Sequence, residues 1–444
     1  MMNQVDQLTW AYPPPTNSHR DSASRLFYQA VLVLKSVGNL PVQATTRSID
    51  ADHHRQVIHY TFSIKSFTFP YCLILTTFVV IAWIQFISEY AGLNPFSFTL
   101  FIEKNYGVSL ANVSTAHQLS LLDPLSVAQT MIHVIFPLSS CIQYLSTIWT
   151  SLKFAEYANG WTIFEETFRR IFKMNPLLNE AVFPETTRFR RLSWNFTLCL
   201  VVVIGLTIYP MTLTQERLSG NAMSMKWPVT FVGFLTFFIT LLLDFRCNLM
   251  LYINQEAFSQ IGTKIAAEVE CSQSSVSRIN STLVQNWQLL ISYARKQTVS
   301  GGQILSTSLL VELINLFGTW CSIIYQTIFF AQRDGLGWTS LEDLGLNYSL
   351  CGIMYFRFAI KIFLSERMTI AEAKIAKSLQ LIENHSDLGT SLEINIVVDW
   401  IATPPSKINI ANLFALNRSL LFGVMGQTVT YVLVLLQFQT IQGT

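Results

Sequence analysis

Residues 420–438 read LLFGVMGQTVTYVLVLLQF, a run of 19 residues that contains no charged side chain. A helix needs roughly 20 mostly apolar residues to cross the hydrocarbon core of a bilayer. The run has that length and that composition, and it is longer than a buried strand requires. The sequence therefore predicts a membrane-spanning helix here, over about 412–438.

Six earlier segments have the same character, which predicts an all-α polytopic membrane protein with seven spans. They lie at about 68–90, 126–150, 192–213, 227–250, 303–330 and 347–365. Composition agrees, because 51% of the 444 residues are hydrophobic and 13% are charged, about half the charged share of an average soluble domain. Arg357 and Lys361 interrupt the sixth span, and we expect both side chains to snorkel towards an interface.

The distribution of Lys and Arg predicts the orientation of these spans. Twenty-one lie in residues 1–67, 151–191, 251–302 and 366–411, whereas the alternate loops contain Lys104, Arg217, Lys226 and Arg333. Since basic loops stay in the cytoplasm, we expect an internal N-terminus, an external C-terminus and a plasma-membrane location. No apolar signal-peptide core precedes the first span, which we expect to direct insertion itself. Asn112, in the sequon Asn-Val-Ser, then becomes a candidate for external glycosylation.

The same reasoning divides the chain into four parts. Residues 1–67 form a cytoplasmic N-terminal segment with a short amphipathic helix over 24–41, and 68–365 form a ligand-binding bundle of spans one to six. Residues 366–411 form a cytoplasmic linker, and 412–444 form the last span and a short external tail. Apolar residues recur at helical steps in 251–302, at Ile253, Phe258, Ile261, Ile265 and Val269, which predicts that spans extend into the cytoplasm and pack together there.

Motifs for catalysis, cofactors and metals are missing from the sequence. It contains no Gly-rich phosphate loop, no His-Glu-x-x-His and no nucleophile elbow, so we expect neither an enzyme nor a bound cofactor. Adjacent His53 and His54 are better explained as a solvated loop than as a metal site. The seven cysteines lack metal-ligand spacing, and a net charge of +2 gives no field suited to nucleic acid.

Polar residues inside spans are the candidates for ligand binding, because each is costly in hydrocarbon and tends to face a cavity or a partner. The predicted orientation places six of them in the outer halves of spans two, five and six: Gln129, His133, Trp320, Gln326, Asn347 and Tyr348. Aromatic faces beside amide groups suit a small polar molecule, while interhelical hydrogen bonds are the alternative explanation. Deeper in the spans, we expect Asp244 and Glu312 to pair with Arg246 or Arg357.

The end of the chain resembles that of arthropod gustatory receptors. Thr430 and Tyr431, five apolar residues, and then Gln437 and Phe438 match the signature that closes these receptors, and Asn412-Leu413-Phe414-x-x-Asn417-Arg418 is similar to the segment before their last helix. Length, seven spans and an internal N-terminus agree with the resemblance. Residues 27–41 and the phrase Trp161-x-x-x-Glu165 are similar to sugar-receptor sequences, which often carry Glu where this chain has Val432.

The resemblance implies a ligand-gated cation channel, a homotetramer or mixed tetramer in which the seventh helix of each subunit lines a central pore. It also implies an outward-facing pocket for a tastant, a sugar or a bitter compound. Val434, Gln437, Phe438 and Ile441 share one helix face, so we assign them to the pore lining. Gln437 then presents amides to cations and Phe438 an apolar ring, and without an acidic residue in this span we expect weak selectivity. Capping of the helix at the outer interface is the alternative for Gln437 and Phe438.

Two other classes remain open at this point. A heptahelical G-protein-coupled receptor also binds small molecules in a bundle, but its N-terminus is external and its Asp-Arg-Tyr signature is missing here. A secondary transporter of small polar solutes typically has duplicated halves with broken helices, and the sequence contains neither.

Overall fold

The fold is described from a computed structural model of the chain. It describes residues 40–48, 56–64, 69–74, 138–174, 223–274, 279–333, 338–383, 388–403 and 406–442, with scattered positions in 27–35, 66–84 and 182–183. The predicted third span at 192–213, Asn112, Gln129, His133, His53 and His54 lie outside the described residues.

Six helices make up most of the described chain. They are α1 (Ser151–Ile171), α2 (Met223–Ser274), α3 (Ser281–Arg333), α4 (Trp338–Glu383), α5 (Leu388–Ala402) and α6 (Arg418–Gln442). A further helical stretch, 138–149, leads into α1. The prediction of a mostly helical protein is confirmed. The described parts of the first, second, fourth, fifth and sixth predicted spans are helical except for Thr150, and the seventh is helical from Arg418 onwards.

α2 and α3 each run without a break from a predicted span into the predicted loop 251–302. α2 has 52 residues and α3 has 53, which at 1.5 Å per residue is about 80 Å each, far more than a hydrocarbon core of roughly 30 Å. Both helices therefore continue well beyond a membrane. Within the described residues, the stretch Ser281–Ile328 of α3 is the one that is long and apolar enough to cross a bilayer by length and composition.

The extensions of α2 and α3 are packed, as their amphipathic pattern predicts. Ile253, Phe258, Ile261, Ile265 and Val269 are all buried in the hydrophobic core. The predicted loop 251–302 thus consists of the end of α2, a short connection and the start of α3. The alternation of apolar and polar residues at three- and four-residue steps was sufficient to locate this core.

A β-hairpin packs against α1 and was not predicted from the sequence. Strands β1 (Val42–Ser48) and β2 (Gln56–Phe62) are antiparallel, with Val42 opposite Phe62. The Asn159 side chain of α1 accepts a hydrogen bond from Tyr60 N (2.8 Å) and donates one to Tyr60 O (2.7 Å). One amide thereby satisfies both backbone groups of a strand residue, and this joins the hairpin to the helix.

The N-terminal stretch 24–41, in which the sequence predicts an amphipathic helix, is described in part, and its last two residues, Leu40 and Pro41, are not helical. Residues 27, 28, 31, 32, 34 and 35 are helical, and Phe27, Val31 and Leu34 are buried in the core. The Phe27 ring makes edge contacts with Phe154 and Tyr157 of α1, with ring centroids 5.7 Å apart in both pairs.

The segment before α6 forms a tight turn rather than the first turns of a span. Strands β3 (Asn409–Ile410) and β4 (Phe414–Ala415) pair across Ala411 and Asn412, whose φ angles are 51° and 58°. Asn417 then caps α6, because its Oδ1 accepts a hydrogen bond from Leu420 N (3.1 Å). The last helix therefore begins at Arg418, six residues later than the predicted span.

Candidate functional site

Two of the predicted ligand-binding residues lie together at the α3–α4 interface. The rings of Trp320 and Tyr348 meet edge to face with centroids 6.5 Å apart, and the Tyr348 and Thr327 hydroxyls are 2.8 Å apart. Tyr355, about two helical turns further along α4, places its ring centroid 6.4 Å from that of Trp320. Sequence reasoning missed Tyr355, although its separation of seven residues from Tyr348 puts both on one face of a helix.

For the other predicted ligand-binding residues, the structure gives at most burial or backbone position. Gln326 of α3 is buried, and Asn347 belongs to α4, where its backbone but not its side chain is described. Gln129 and His133 lie outside the described residues. The structure therefore assembles an aromatic group of Trp320, Tyr348 and Tyr355 and leaves the predicted amide and imidazole partners as predictions.

Four charged side chains from three helices form a buried cluster, which we call the charge cluster: Asp244 of α2, Glu312 of α3, and Arg357 and Lys361 of α4. Asp244 accepts hydrogen bonds from both Arg357 and Lys361, and Lys361 also donates to Glu312. All four residues are less than 9% exposed. Two positive and two negative charges cancel here, which offsets the cost of removing each from water.

The charge cluster corrects one expectation from the sequence. Arg357 and Lys361 do not extend towards an interface, because both are buried and each is paired with a carboxylate. The expected pairing of Asp244 with Arg357 is confirmed. Arg246, the other proposed partner, instead places its guanidinium carbon 5.7 Å from the centroid of the Phe154 ring.

A second group of side chains fixes the segment that leads into α6. Glu366, Thr369 and Glu372 follow one another at three-residue steps along α4. Glu372 accepts hydrogen bonds from Ser406 N (2.6 Å) and Ser406 Oγ (3.1 Å), and the Thr369 hydroxyl donates to Ser406 O (3.0 Å). Glu366 pairs with Arg418, the first residue of α6. We call these contacts the lead-in clamp.

Arg295 of α3 completes the lead-in clamp from the other side. Its Nε donates to Glu372 Oε1 (2.6 Å), and its two Nη groups donate to the carbonyls of Trp400 (2.9 Å) and Ile401 (2.7 Å) at the end of α5. Cations at a helix C-terminus satisfy its last carbonyls. The guanidinium also stacks 4.2 Å from the Trp400 ring centroid. One residue thus joins α3, α4 and α5.

Outside the predicted spans, Glu268 at the end of α2 accepts a hydrogen bond from Trp287 Nε1 of α3 (3.2 Å). Burial raises the pKa of this carboxyl, although the Trp287 hydrogen bond and the nearby Lys264 and Lys173 act in the opposite direction. Tyr157 of α1 donates its hydroxyl to Met250 O (3.3 Å), and burial raises its pKa above the ordinary value.

The predicted pore residues belong to α6, a helix whose described side chains are mostly exposed or half-buried. α6 is continuous from Arg418 to Gln442, so Val434, Gln437, Phe438 and Ile441 share one face. Val434 and Gln437 are exposed, and the side chains of Phe438 and Ile441 are outside the described set. Of the motif residues further back, Thr430 is exposed and the ring of Tyr431 is 6.0 Å from that of Phe317 in α3.

A sequence model of the 7tm chemosensory receptor family matches residues 122–442. The structure of the insect olfactory receptor OR5 from Machilis hrabei in complex with eugenol is similar to this chain, with a TM-score of 0.61 and 15% identity over 93% of this chain and 98% of that one. A second structure of OR5 gives a TM-score of 0.55 and 14% identity over the same shares. At these identities the likeness concerns the fold. No curated protein sequence matches the chain.

Proposed function

The chain belongs to the 7tm chemosensory receptor family, and on that premise we propose that it is a gustatory receptor that acts as a tastant-gated, weakly selective cation channel. The family consists of membrane receptors rather than enzymes, which agrees with the lack of catalytic motifs in the sequence. We propose further that the channel is a tetramer in the plasma membrane and that α6 of each subunit lines the pore.

The observation that carries the proposal is the exposure of α6. Thr428 and Val432 are buried, whereas Phe422, Val429 and Leu433 are about half exposed or more. A helix this apolar requires cover on its open faces from lipid or from other subunits. Four copies around an axis would cover part of that surface and direct one face of each helix towards a shared path.

The family motif supplies the residues for that path. In the proposal, Val434, Gln437, Phe438 and Ile441 face the axis, with Gln437 offering amide oxygens to a passing cation and Phe438 closing the path by dewetting. Thr430 and Tyr431 lie two turns earlier, and the Tyr431 ring contacts α3. That contact supports a role for the motif in positioning the pore helix.

For the ligand we propose a small tastant, sugar or bitter, bound near Trp320, Gln326, Asn347 and Tyr348 together with Gln129 and His133. The structurally similar OR5 has been solved with eugenol, which supports small-molecule binding within this fold. We retain Asn112 as the proposed glycosylation site, and the four parts of the chain defined above as the proposed domains.

The α4 helix provides a physical connection from this pocket to the pore helix. One unbroken helix of 46 residues carries Tyr348 near its start, the charge cluster at Arg357 and Lys361, and the lead-in clamp at Glu366 to Glu372. A tastant can open the channel only if it binds the open conformation more tightly than the closed one. We propose that displacement or rotation of α4 transmits this preference to α6.

Expression of the chain alone in cells without taste machinery tests the proposal. We expect sugars or bitter compounds from a mixed panel to evoke cation current in excised patches, where no soluble second messenger is present. Current that requires G-protein signalling, together with an external N-terminal epitope tag, would instead indicate a G-protein-coupled receptor. Saturable uptake of a solute without current would indicate a transporter.

A further inference from the structure

The sixth predicted span, 347–365, lies within α4 and carries two basic residues. Arg357 is near its middle, and Lys361 follows one helical turn towards the predicted cytoplasmic end. A Lys or Arg near the centre of a span lowers the equilibrium constant for insertion of that helix about 100-fold. In agreement with this, the part of the chain that the structure describes contains a stretch long and apolar enough to cross a bilayer in α3 and none in α4. By composition, α4 is therefore a poor membrane span on its own.

The structure gives these two cations partners on other helices. Arg357 and Lys361 are 4% and 2% exposed, so neither side chain reaches water at an interface. Arg357 donates to Asp244 of α2, and Lys361 donates to Asp244 and to Glu312 of α3. Asp244 precedes Arg357 by 113 residues, and Glu312 precedes Lys361 by 49. Because a chain is synthesised from its N-terminus, both carboxylates are made before α4.

We propose that α4 does not enter the bilayer as an independent span but inserts against α2 and α3, where Asp244 and Glu312 neutralise its two cations. The four charges of the charge cluster sum to zero, so the paired group is less costly in hydrocarbon than two unpaired cations. α3 is apolar enough to cross a bilayer although it contains Glu312, which puts one acceptor in place first. The inference rests on the predicted topology and not on the proposed channel function.

The sequence contains a natural reporter of whether α4 crosses the membrane. Asn384-His385-Ser386 is an N-glycosylation sequon that follows the last residue of α4, Glu383. When α4 spans the bilayer, the predicted topology places this sequon in the cytoplasm, where it is not glycosylated. When α4 fails to insert, the segment 366–411 remains on the other side, which during synthesis is the lumen of the endoplasmic reticulum. Asn384 then becomes accessible to glycosylation.

Translation of the full chain in the presence of endoplasmic-reticulum microsomes tests the inference. Glycan occupancy at Asn384 is measured by mass spectrometry after enzymatic deglycosylation in heavy-oxygen water. We expect almost no occupancy in the wild type and an increase of at least about ten-fold in the double variant Asp244→Asn with Glu312→Gln. Both changes make α2 and α3 more apolar and so favour insertion of those two helices. An increase therefore reports on α4.

Two further variants separate the pairing of charges from other effects. Glu268→Gln with Glu270→Gln is the matched control, because it removes two negative charges from the part of α2 outside the predicted span. It should leave Asn384 as unoccupied as in the wild type. Adding Arg357→Leu and Lys361→Leu to the double acid variant makes α4 apolar enough to insert without partners. That variant should return the occupancy to the wild-type value.

Three results would overturn the inference. Glycosylation of Asn384 in the wild type would mean that α4 does not cross the membrane in the predicted direction. An unoccupied Asn384 in the double acid variant would mean that α4 inserts without its partners. Occupancy that persists after the two leucine substitutions would mean that the acids do not act by pairing with the cations. The second and third results leave the channel proposal in place, and a chain that inserts as expected but passes no current would contradict the channel alone.

Discussion

Lys361 lies between two carboxylates, Asp244 of α2 and Glu312 of α3, and its side chain is 2% exposed. Lys361→Met removes one positive charge from a cluster that was neutral. The two acids then share Arg357 alone, which leaves a buried charge unpaired. We expect a loss of about 3–5 kcal/mol in stability, measured as thermal unfolding in detergent micelles.

Two further variants identify the cause of that loss. Lys374→Met, at an exposed position of the same helix, should change stability by less than about 0.5 kcal/mol. Adding Glu312→Gln to Lys361→Met restores neutrality, so the double variant should be more stable than Lys361→Met. If the double variant instead loses the sum of the stability losses of Lys361→Met and Glu312→Gln, the two charges are not coupled.

Glu268 gives a pH-dependent prediction, because burial raises its pKa in the folded state. A carboxyl with a raised folded pKa favours folding below its unfolded pKa, and that contribution is lost as the pH rises through the folded pKa. Glu268→Gln keeps an acceptor for Trp287 Nε1 without the charge. We expect the variant to match or exceed wild-type thermal stability at pH 8, with a smaller difference from the wild type at pH 5. A variant less stable than wild type at pH 8 would contradict the sign.

Among elements, α4 connects the aromatic group, the charge cluster and the lead-in clamp, and Glu372 is its fully buried contact with the linker. Glu372→Ala leaves Arg295 and Ser406 N without their acceptor, so we expect a loss of about 3–5 kcal/mol in stability. We also expect the maximal tastant-evoked current per surface receptor to fall several-fold. Surface biotinylation measures the amount of receptor at the cell surface, and the current is divided by that amount.

The matched control for Glu372 is Glu366, the other carboxylate of the lead-in clamp. Its partner Arg418 is 62% exposed at the side chain, and exposed ion pairs contribute about 0–1 kcal/mol. Glu366→Ala should therefore change the current much less than Glu372→Ala. An equal fall in current in Glu366→Ala and Glu372→Ala would mean that the lead-in clamp does not act through the buried contacts of Glu372.

The elements also show what local sequence can and cannot predict. Periodicity located α2 and α3, because Ile253 to Val269 follow the helical repeat. It did not locate the hairpin, whose strands depend on Asn159 of α1, 99 residues from Tyr60. It placed Arg357 and Lys361 at an interface, because their acidic partners are 113 and 49 residues away and only the packed helices bring them together.

At the scale of the whole molecule, the family could be predicted from the last span, whereas most of the candidate site could not. The motif residues Thr430, Tyr431, Gln437 and Phe438 were sufficient for the resemblance. Trp320 and Tyr348 could be proposed from the sequence because polar and aromatic residues are conspicuous in a span. Tyr355, Arg295 and Glu372 gave no comparable signal, since their roles depend on neighbours from other helices.

The central claim is that several copies of α6 surround a water-filled path at Gln437. It is tested by single-channel recording of Gln437→Cys in a Cys271→Ser background, which removes the exposed cysteine of the described chain. A positively charged methanethiosulfonate reagent is applied from the predicted external side. The control is Gln439→Cys, which lies two residues further along α6 and about 200° around the helix. The account predicts stepwise reduction of single-channel current in Gln437→Cys and none in the control. Unchanged conductance after complete modification of Gln437→Cys would contradict it.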